Sequence, residues 1–273
     1  MSTPFDLFDL SNRVAIVTGG AGLLGEQFCR TLAAARAQVV VADSDGDKAK
    51  AVAEVIGKAD AKALAVEVNV SQLESVETLV QTTLDSYGKI DILVNSAAID
   101  PKFDPEHAGQ HANAFEGYPL DAWNEALTVN LTGPMLCAQA ASQPMLAQKG
   151  GVIINVCSIY GLVGPDQRLY QREGQPPQYK PVTYTVTKAG VLGLTKYLST
   201  YYGTKGIRVN ALTPGGVFNE HDDEFVKAYS ARAVLGRMAE KDEMNGALLF
   251  LASDASKYMT GANLIVDGGW TAW

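Results

Sequence analysis

The sequence predicts an α/β fold, a doubly wound parallel sheet of about seven strands with helices on both faces. Three features lead there. Short β-rich runs recur at 13–18, 38–43, 62–68 and 90–95, separated by stretches of helical character, which is the rhythm of βαβ units. These runs are apolar at almost every position, as strands covered on both faces are. A chain of 273 residues that is 47% hydrophobic can bury one large core, and no internal repeat period breaks the pattern.

The elements follow in chain order. Residues 18–25, Thr-Gly-Gly-Ala-Gly-Leu-Leu-Gly, join the first strand to a helix. Ser71 and Glu74 have the spacing of a capping box for the helix that ends near Tyr87 and Gly88. A polar loop leads from Asn95 to about Tyr118, and a helical stretch at 119–149 is open to interruption near Pro134 and Pro144. A fifth strand is expected at 151–157, a helix from Val182, and two more strands at 207–212 and 263–266. Residues 162–181 are rich in Pro, Gln, Gly and charge. Both of their flanks belong to the α/β pattern, so they read as an insertion within one domain spanning 1–273.

The glycine turn carries the first chemistry. Glycines let the backbone approach a pyrophosphate, and the helix that opens there offers free N–H groups and a positive dipole end. Gly19, Gly22, Leu24 and Gly25 are the turn's candidate cofactor contacts. Asp43 ends the second strand eighteen positions after Gly25, where a carboxylate accepts hydrogen bonds from an adenosine ribose. Together they make a Rossmann-type dinucleotide site. A 2′-phosphate beside Asp43 would meet like charge, and Lys48 is the nearest cation, so NAD is favoured over NADP.

Tyr184 and Lys188 lie four residues apart and project from one helix face. A tyrosine is a poor base near neutrality, and a nearby cation favours its phenolate. Tyr184 would then take a hydroxyl proton during oxidation or return one to a carbonyl oxygen during reduction. With Ser158 after the fifth strand and Asn130 in the long helical stretch, the sequence resembles the short-chain dehydrogenase/reductase family, in its compact branch. Leu93-Val-Asn-Ser-Ala97, Ile154-Asn-Val-Cys-Ser158, the run from Arg208 to Gly215 and the run from Thr260 to Gly269 extend the match over nearly the whole chain.

That resemblance implies a catalytic set of Asn130, Ser158, Tyr184 and Lys188. Ser158 would hydrogen-bond the reacting oxygen, Lys188 would lower the tyrosine pKa and hold the nicotinamide ribose, and Asn130 would hold a proton-relaying water. It also places Asn69 and Val70 near the adenine, Asn95 and Ala97 along the cofactor, and Pro214, Gly215 and Val217 around the nicotinamide. The chain departs from the family at Leu23, where a glycine is usual, at Asn69, where Asp is usual, and at Ser96 and Ala98. The glycine spacing is more usual in a longer branch acting on nucleotide sugars. The distance from Ser158 to Tyr184 is longer than usual, so the insertion is expected at the active-site rim.

Arg168, Tyr170, Gln171, Arg172, Gln178 and Lys180 in the insertion, and Asn219, His221, Asp222 and Asp223 in a lid at about 217–234, suit a polar substrate, the alternative for the insertion being a solvated surface loop or a subunit contact. The expected activity is therefore NAD-linked hydride transfer to or from a polar secondary alcohol or ketone, a sugar or sugar derivative. The alternatives are reduction of a 3-oxoacyl thioester and a non-catalytic NAD-binding sensor.

A formal net charge of −8 without Lys/Arg clusters argues against nucleic acid or anionic membrane as partner. His107 and His111 are four apart but have no acidic partner in a helical frame, so no metal site is expected. Cys29, Cys137 and Cys157 read as buried thiols of a reducing compartment, and with no signal-like N-terminus the expected location is cytoplasmic. The resemblance further implies a homotetramer or homodimer built on helices near 119–149 and 182–203, with the terminal tryptophans against a neighbour or closing the core.

Overall fold

Strand β1 (Val14–Thr18) is buried at every position, and its residues alternate between two cores. Ala15 and Val17 face one cluster with Phe28 and Leu32, while Ile16 faces the other with Val76 and Leu79. The same two-sided burial organises the inner strands β2 (Gln38–Asp43), β4 (Ile92–Asn95), β5 (Gly151–Val156) and β6 (Ile207–Pro214), while β3 (Ala63–Glu67) and β7 (Asn263–Val266) are only partly buried at the edges. All seven pair in parallel in the order β3-β2-β1-β4-β5-β6-β7. This is the expected Rossmann-type sheet. The computed structural model describes residues 3–59, 61–100, 113–174 and 176–273, so His107 and His111 lie outside the described residues.

Helices α1 (Leu23–Ala34) and α2 (Gly46–Gly57) cover one face with α8 (Asn245–Ala252), through Phe28, Leu32, Val52, Ile56, Leu248 and Leu251. Helices α3 (Leu73–Tyr87) and α5 (Gly133–Ala147) cover the other through Val76, Leu79, Cys137, Ala141 and Met145; α6 (Val182–Tyr202) adds Tyr202. The shorter α4 (Leu120–Leu127) precedes α5, and α7 (Asp223–Ser230) lies near the C-terminal ends of the strands. Gly88 closes α3 with φ of 77°, a left-handed backbone that glycine adopts without strain.

Two local expectations are corrected. No Ser71/Glu74 capping box forms: α3 starts at Leu73 after Gln72, and Ser71 gives both its amide and its hydroxyl to the Asn69 side chain at 3.0 and 2.6 Å. The local Asx turn outcompetes the cap. The 119–149 stretch is irregular near Pro134, as expected, but runs on through Pro144. Its irregularity is a π-turn at Thr128–Thr132, just before Pro134, and Pro144 sits inside α5 near its end, where its missing N–H costs one hydrogen bond.

All three cysteines are buried and free. The terminal tryptophans divide: Trp270 stacks on Tyr229 at 5.9 Å within a buried aromatic cluster, whereas Trp273 is 81% exposed. No helix of the described residues is long and apolar enough to cross a membrane.

Phe28 is completely buried between α1 and the sheet. Phe28→Ala should destabilise the protein by about 3–5 kcal/mol, read as a lower urea midpoint with an unchanged slope.

Candidate active site

At the C-terminal ends of β1 and β4 the connections turn to opposite sides of the sheet, which opens a crevice there. The Thr18 hydroxyl ties the two strands: it accepts from the amides of Ser96 at 3.2 Å and Ala97 at 3.3 Å and donates to the Val94 carbonyl. The glycine turn fits tightly against this corner. A Cβ on Gly25 would stand 1.9 Å from the Gly19 carbonyl oxygen, and one on Gly19 would stand 2.7 Å from Ala97 Cα. Gly22 then starts α1, and Leu23, at the family's usual glycine position, is its first residue and 38% exposed on the cleft wall.

Asp43 accepts from the Ala21 amide at 2.9 Å and the Asp45 amide at 3.1 Å, so it braces the glycine turn while also lining the cleft. It does not cap α2; Asp45 does, by accepting from the Lys48 amide, and Asp45 also holds the Lys48 ammonium at 2.8 Å.

The cleft has a volume of about 1800 Å³ and runs from this turn to the end of β5. Its walls include Gly19, Gly22, Leu24, Gly25, Asp43, Asn69, Val70, Ala97, Ser158, Tyr184, Lys188, Pro214, Gly215 and Val217. Of the expected catalytic and cofactor residues, two are not on the wall. Asn95 points into the sheet, donating to the Asn155 side chain at 2.9 Å and the Pro134 carbonyl at 3.3 Å, because it is still part of β4 and its neighbour Ser96 takes the outward position. Asn130 is 2% exposed inside the π-turn, where its amide group accepts from the Ile99 N–H at 2.7 Å and donates to the Ile99 carbonyl and the Thr187 hydroxyl. It clamps the segment after β4 onto α6.

Ser158 follows β5 with extended backbone, and its hydroxyl accepts from the Tyr160 amide at 3.2 Å. It is thus both a cap and part of the wall. Tyr184 and Lys188 occupy the first two turns of α6, and the Lys188 ammonium lies 5.8 Å from the Tyr184 ring centroid and donates to the Val156 carbonyl at 3.0 Å. Gly161 lets this loop approach α6: a Cβ there would lie 2.8 Å from the Lys188 carbonyl group.

Burial raises the Tyr184 phenol above the ordinary tyrosine range, with the Asp100 charge acting the same way and the Ser158 hydroxyl opposing. Burial lowers the Lys188 ammonium. The expected cationic depression of the phenol is therefore outweighed by desolvation in the protein alone.

The insertion reaches the cleft with Tyr170, Arg172, Gln178 and Lys180, whereas Arg168 and Gln171 do not line it. Arg168 pairs with Asp166 in solvent, and Gln171 bonds the carbonyls of Gln167 and Gln178. From the lid, Asn219, His221 and Asp222 line the cleft, and Asp223 does not. Asp100 and Tyr160 complete the wall and were missed at the sequence level; their signal was position, each lying just beyond the end of a central strand. Among the described residues no group of three or more His, Cys, Asp or Glu is placed to hold a metal ion.

The family described as enoyl-(acyl carrier protein) reductase matches residues 20–271. The chain is 34% identical to an L-rhamnose 1-dehydrogenase (NAD(P)(+)) of Azotobacter vinelandii, over 95% of this chain and 97% of that one. It is also 34% identical to a 3-oxoacyl-[acyl-carrier-protein] reductase of a Synechocystis species, again over 95% and 97%. A solved short-chain type dehydrogenase/reductase from Mycobacterium marinum superposes with a TM-score of 0.86 at 32% identity, covering all of both chains.

Because burial holds the Tyr184 phenol protonated, alkaline tyrosinate titrations of the ligand-free wild type and Tyr184→Phe should coincide up to about pH 10. A phenolate forming near neutrality in the wild type alone would show that Lys188 outweighs burial.

Proposed function

The chain belongs to the short-chain dehydrogenase/reductase family and is an NAD(P)-dependent oxidoreductase acting on alcohol groups; from that premise we propose that it uses NAD and acts on a polar secondary alcohol or ketone, a sugar or sugar derivative. The observation that carries this reading is the meeting of Ser158, Tyr184 and Lys188 in the same cleft as the glycine turn and Asp43.

The turn fits a dinucleotide because Gly19 and Gly25, where any Cβ would strike neighbouring backbone, let it close tightly at the start of α1, whose free N–H groups suit a pyrophosphate. Gly19, Gly22, Leu24 and Gly25 would hold the pyrophosphate, Asp43 the adenosine ribose, Asn69 and Val70 the adenine, and Ala97, Pro214, Gly215 and Val217 the nicotinamide half. The bound cofactor supplies the hydride acceptor or donor. Lys48, the cation nearest to Asp43 in the sequence, is held by Asp45, which supports NAD over a cofactor carrying a 2′-phosphate.

Ser158 would donate to the reacting oxygen and Tyr184 would move the proton. Lys188 would hold the nicotinamide ribose, and its charge would support the phenolate that takes the substrate hydroxyl's proton in oxidation. The side-chain amide of Asn130 is committed to Ile99 and Thr187, so its share of the proton relay would fall to its backbone carbonyl. The hydrogen-bonding groups that Gln178, Lys180, Asn219 and Asp222 bring to the cleft wall support a hydroxyl-rich substrate, as does the name of the rhamnose relative. A carrier-borne thioester, suggested by the other relative's name, has less support from a wall in which carboxylates outnumber cations.

The family's assembly mode and the exposed Leu120, Met135, Val186, Tyr197 and Tyr201 on α4, α5 and α6 support a tetramer.

Purified protein given NAD and a panel of sugars, polyols and sugar acids should form reduced nicotinamide, faster than with NADP. In Tyr184→Phe the turnover should fall by about 10²–10⁴-fold with cofactor binding retained. Cofactor binding without turnover of any alcohol or ketone would instead favour the sensor. Light scattering should give the mass of four chains; a monomer would refute the assembly reading.

A further inference from the structure

The cationic side chains in the substrate half of the cleft are already engaged by protein groups. Among the described residues on the wall, Arg172, Lys180 and Lys188 carry the cationic side chains. Lys188 is committed to the Val156 carbonyl. Arg172, 18% exposed, bonds the two oxygens of Asp222 at 3.0 and 2.8 Å and lies 3.6 Å from Glu224.

Lys180, 13% exposed, reaches both oxygens of Asp100 at 2.6 Å, and its ammonium stands 4.2 Å from the Tyr184 ring centroid, nearer than that of Lys188. Glu220 adds a further negative charge to the same wall.

This arrangement suits one substrate chemistry over another. A carboxylate entering beside Tyr184 would meet Asp100 and would have to take Lys180 from it, leaving one anion without a partner. A hydroxyl needs no such exchange. It donates to the carboxylate and accepts from the ammonium, and the pair stays intact.

We propose that the Lys180–Asp100 pair is a specificity site that reads the hydroxyl next to the reacting carbinol of an uncharged polyol or sugar and disfavours a carboxylate in that place. The inference rests on the reading of Tyr184 as the proton-transfer group. The insertion's length gains a purpose from it: it carries Lys180 back over the ring of Tyr184 immediately before α6 begins.

The test is kcat/KM with NAD for a four-carbon alditol and for the aldonate of the same configuration, which differ by CH2OH or carboxylate beside the reacting carbinol. Wild type, Asp100→Asn and Lys180→Met are compared. The wild type should favour the alditol by about tenfold or more, the worth of a hydrogen bond to a charged group.

Asp100→Asn, which leaves the ammonium unanswered, should move the preference toward the aldonate by about tenfold through a rise in aldonate turnover, a gain that misfolding does not produce. Lys180→Met should lower alditol turnover by about tenfold without any rise on the aldonate.

A wild type that favours the aldonate, or a preference that shifts less than twofold in both variants, would overturn the proposal. So would a wild type that oxidises simple secondary alcohols but neither test compound, and that result would leave the oxidoreductase reading standing. Failure of that reading is separate and shows as hydride transfer undiminished in Tyr184→Phe.

Discussion

The close packing of the glycine turn against the end of β4 is the constraint on which the rest of the site depends. Gly25 presses on the Gly19 carbonyl, Gly19 presses on Ala97, and the Thr18 hydroxyl binds the amides that follow β4. Because the two strands are pinned where their connections part, the crevice between them is held open by backbone and not by mobile side chains. Asp43 contributes from β2 by accepting the Ala21 amide, so the residue read as a ribose ligand is also a brace. A group with both duties has little freedom to move, which is how a binding site gains preorganisation.

A second set of contacts fixes the reacting groups. Lys188 reaches across to the Val156 carbonyl, the Cys157 thiol donates to the Lys188 carbonyl at 3.2 Å, and Gly161 leaves room for both. Strand β5 and helix α6 are thereby stitched together where Ser158 and Tyr184 emerge. Asn130 performs a similar task from the π-turn, joining the segment after β4 to α6. The irregular turn and the buried amide occur together because an extra residue in the helix rotates Asn130 into the interior.

Much of this was legible in the sequence where structure is periodic. The inner strands announced themselves because burial on both faces demands unbroken apolar runs, and 38–43 matches β2 to the residue; 263–266 likewise matches β7, a partly buried edge strand. The Tyr184/Lys188 face was legible because helical spacing is local. What escaped depends on contacts between distant parts of the chain. Asn95 and Ser96 are neighbours, yet which of them faces the cleft is decided by the register of β4 against β5. The Ser71/Glu74 pattern lost to Asn69, whose competing turn has no signature at that spacing. In the insertion, Lys180 turned inward and Arg168 outward because their partners, Asp100 and Asp166, lie eighty residues and two residues away.

The insertion also separates two kinds of inheritance. It leaves the core beside Gly161 and returns at Pro181, both ends anchored around α6, and everything that moves protons lies outside it. Doubling the length of a closed loop costs only about 0.6 kcal/mol, so such a segment can be lengthened, shortened or exchanged with little effect on whether the chain folds. Selection can therefore rewrite what this enzyme accepts without revisiting how it reacts, and the taste of the molecule can drift while its chemistry stays put.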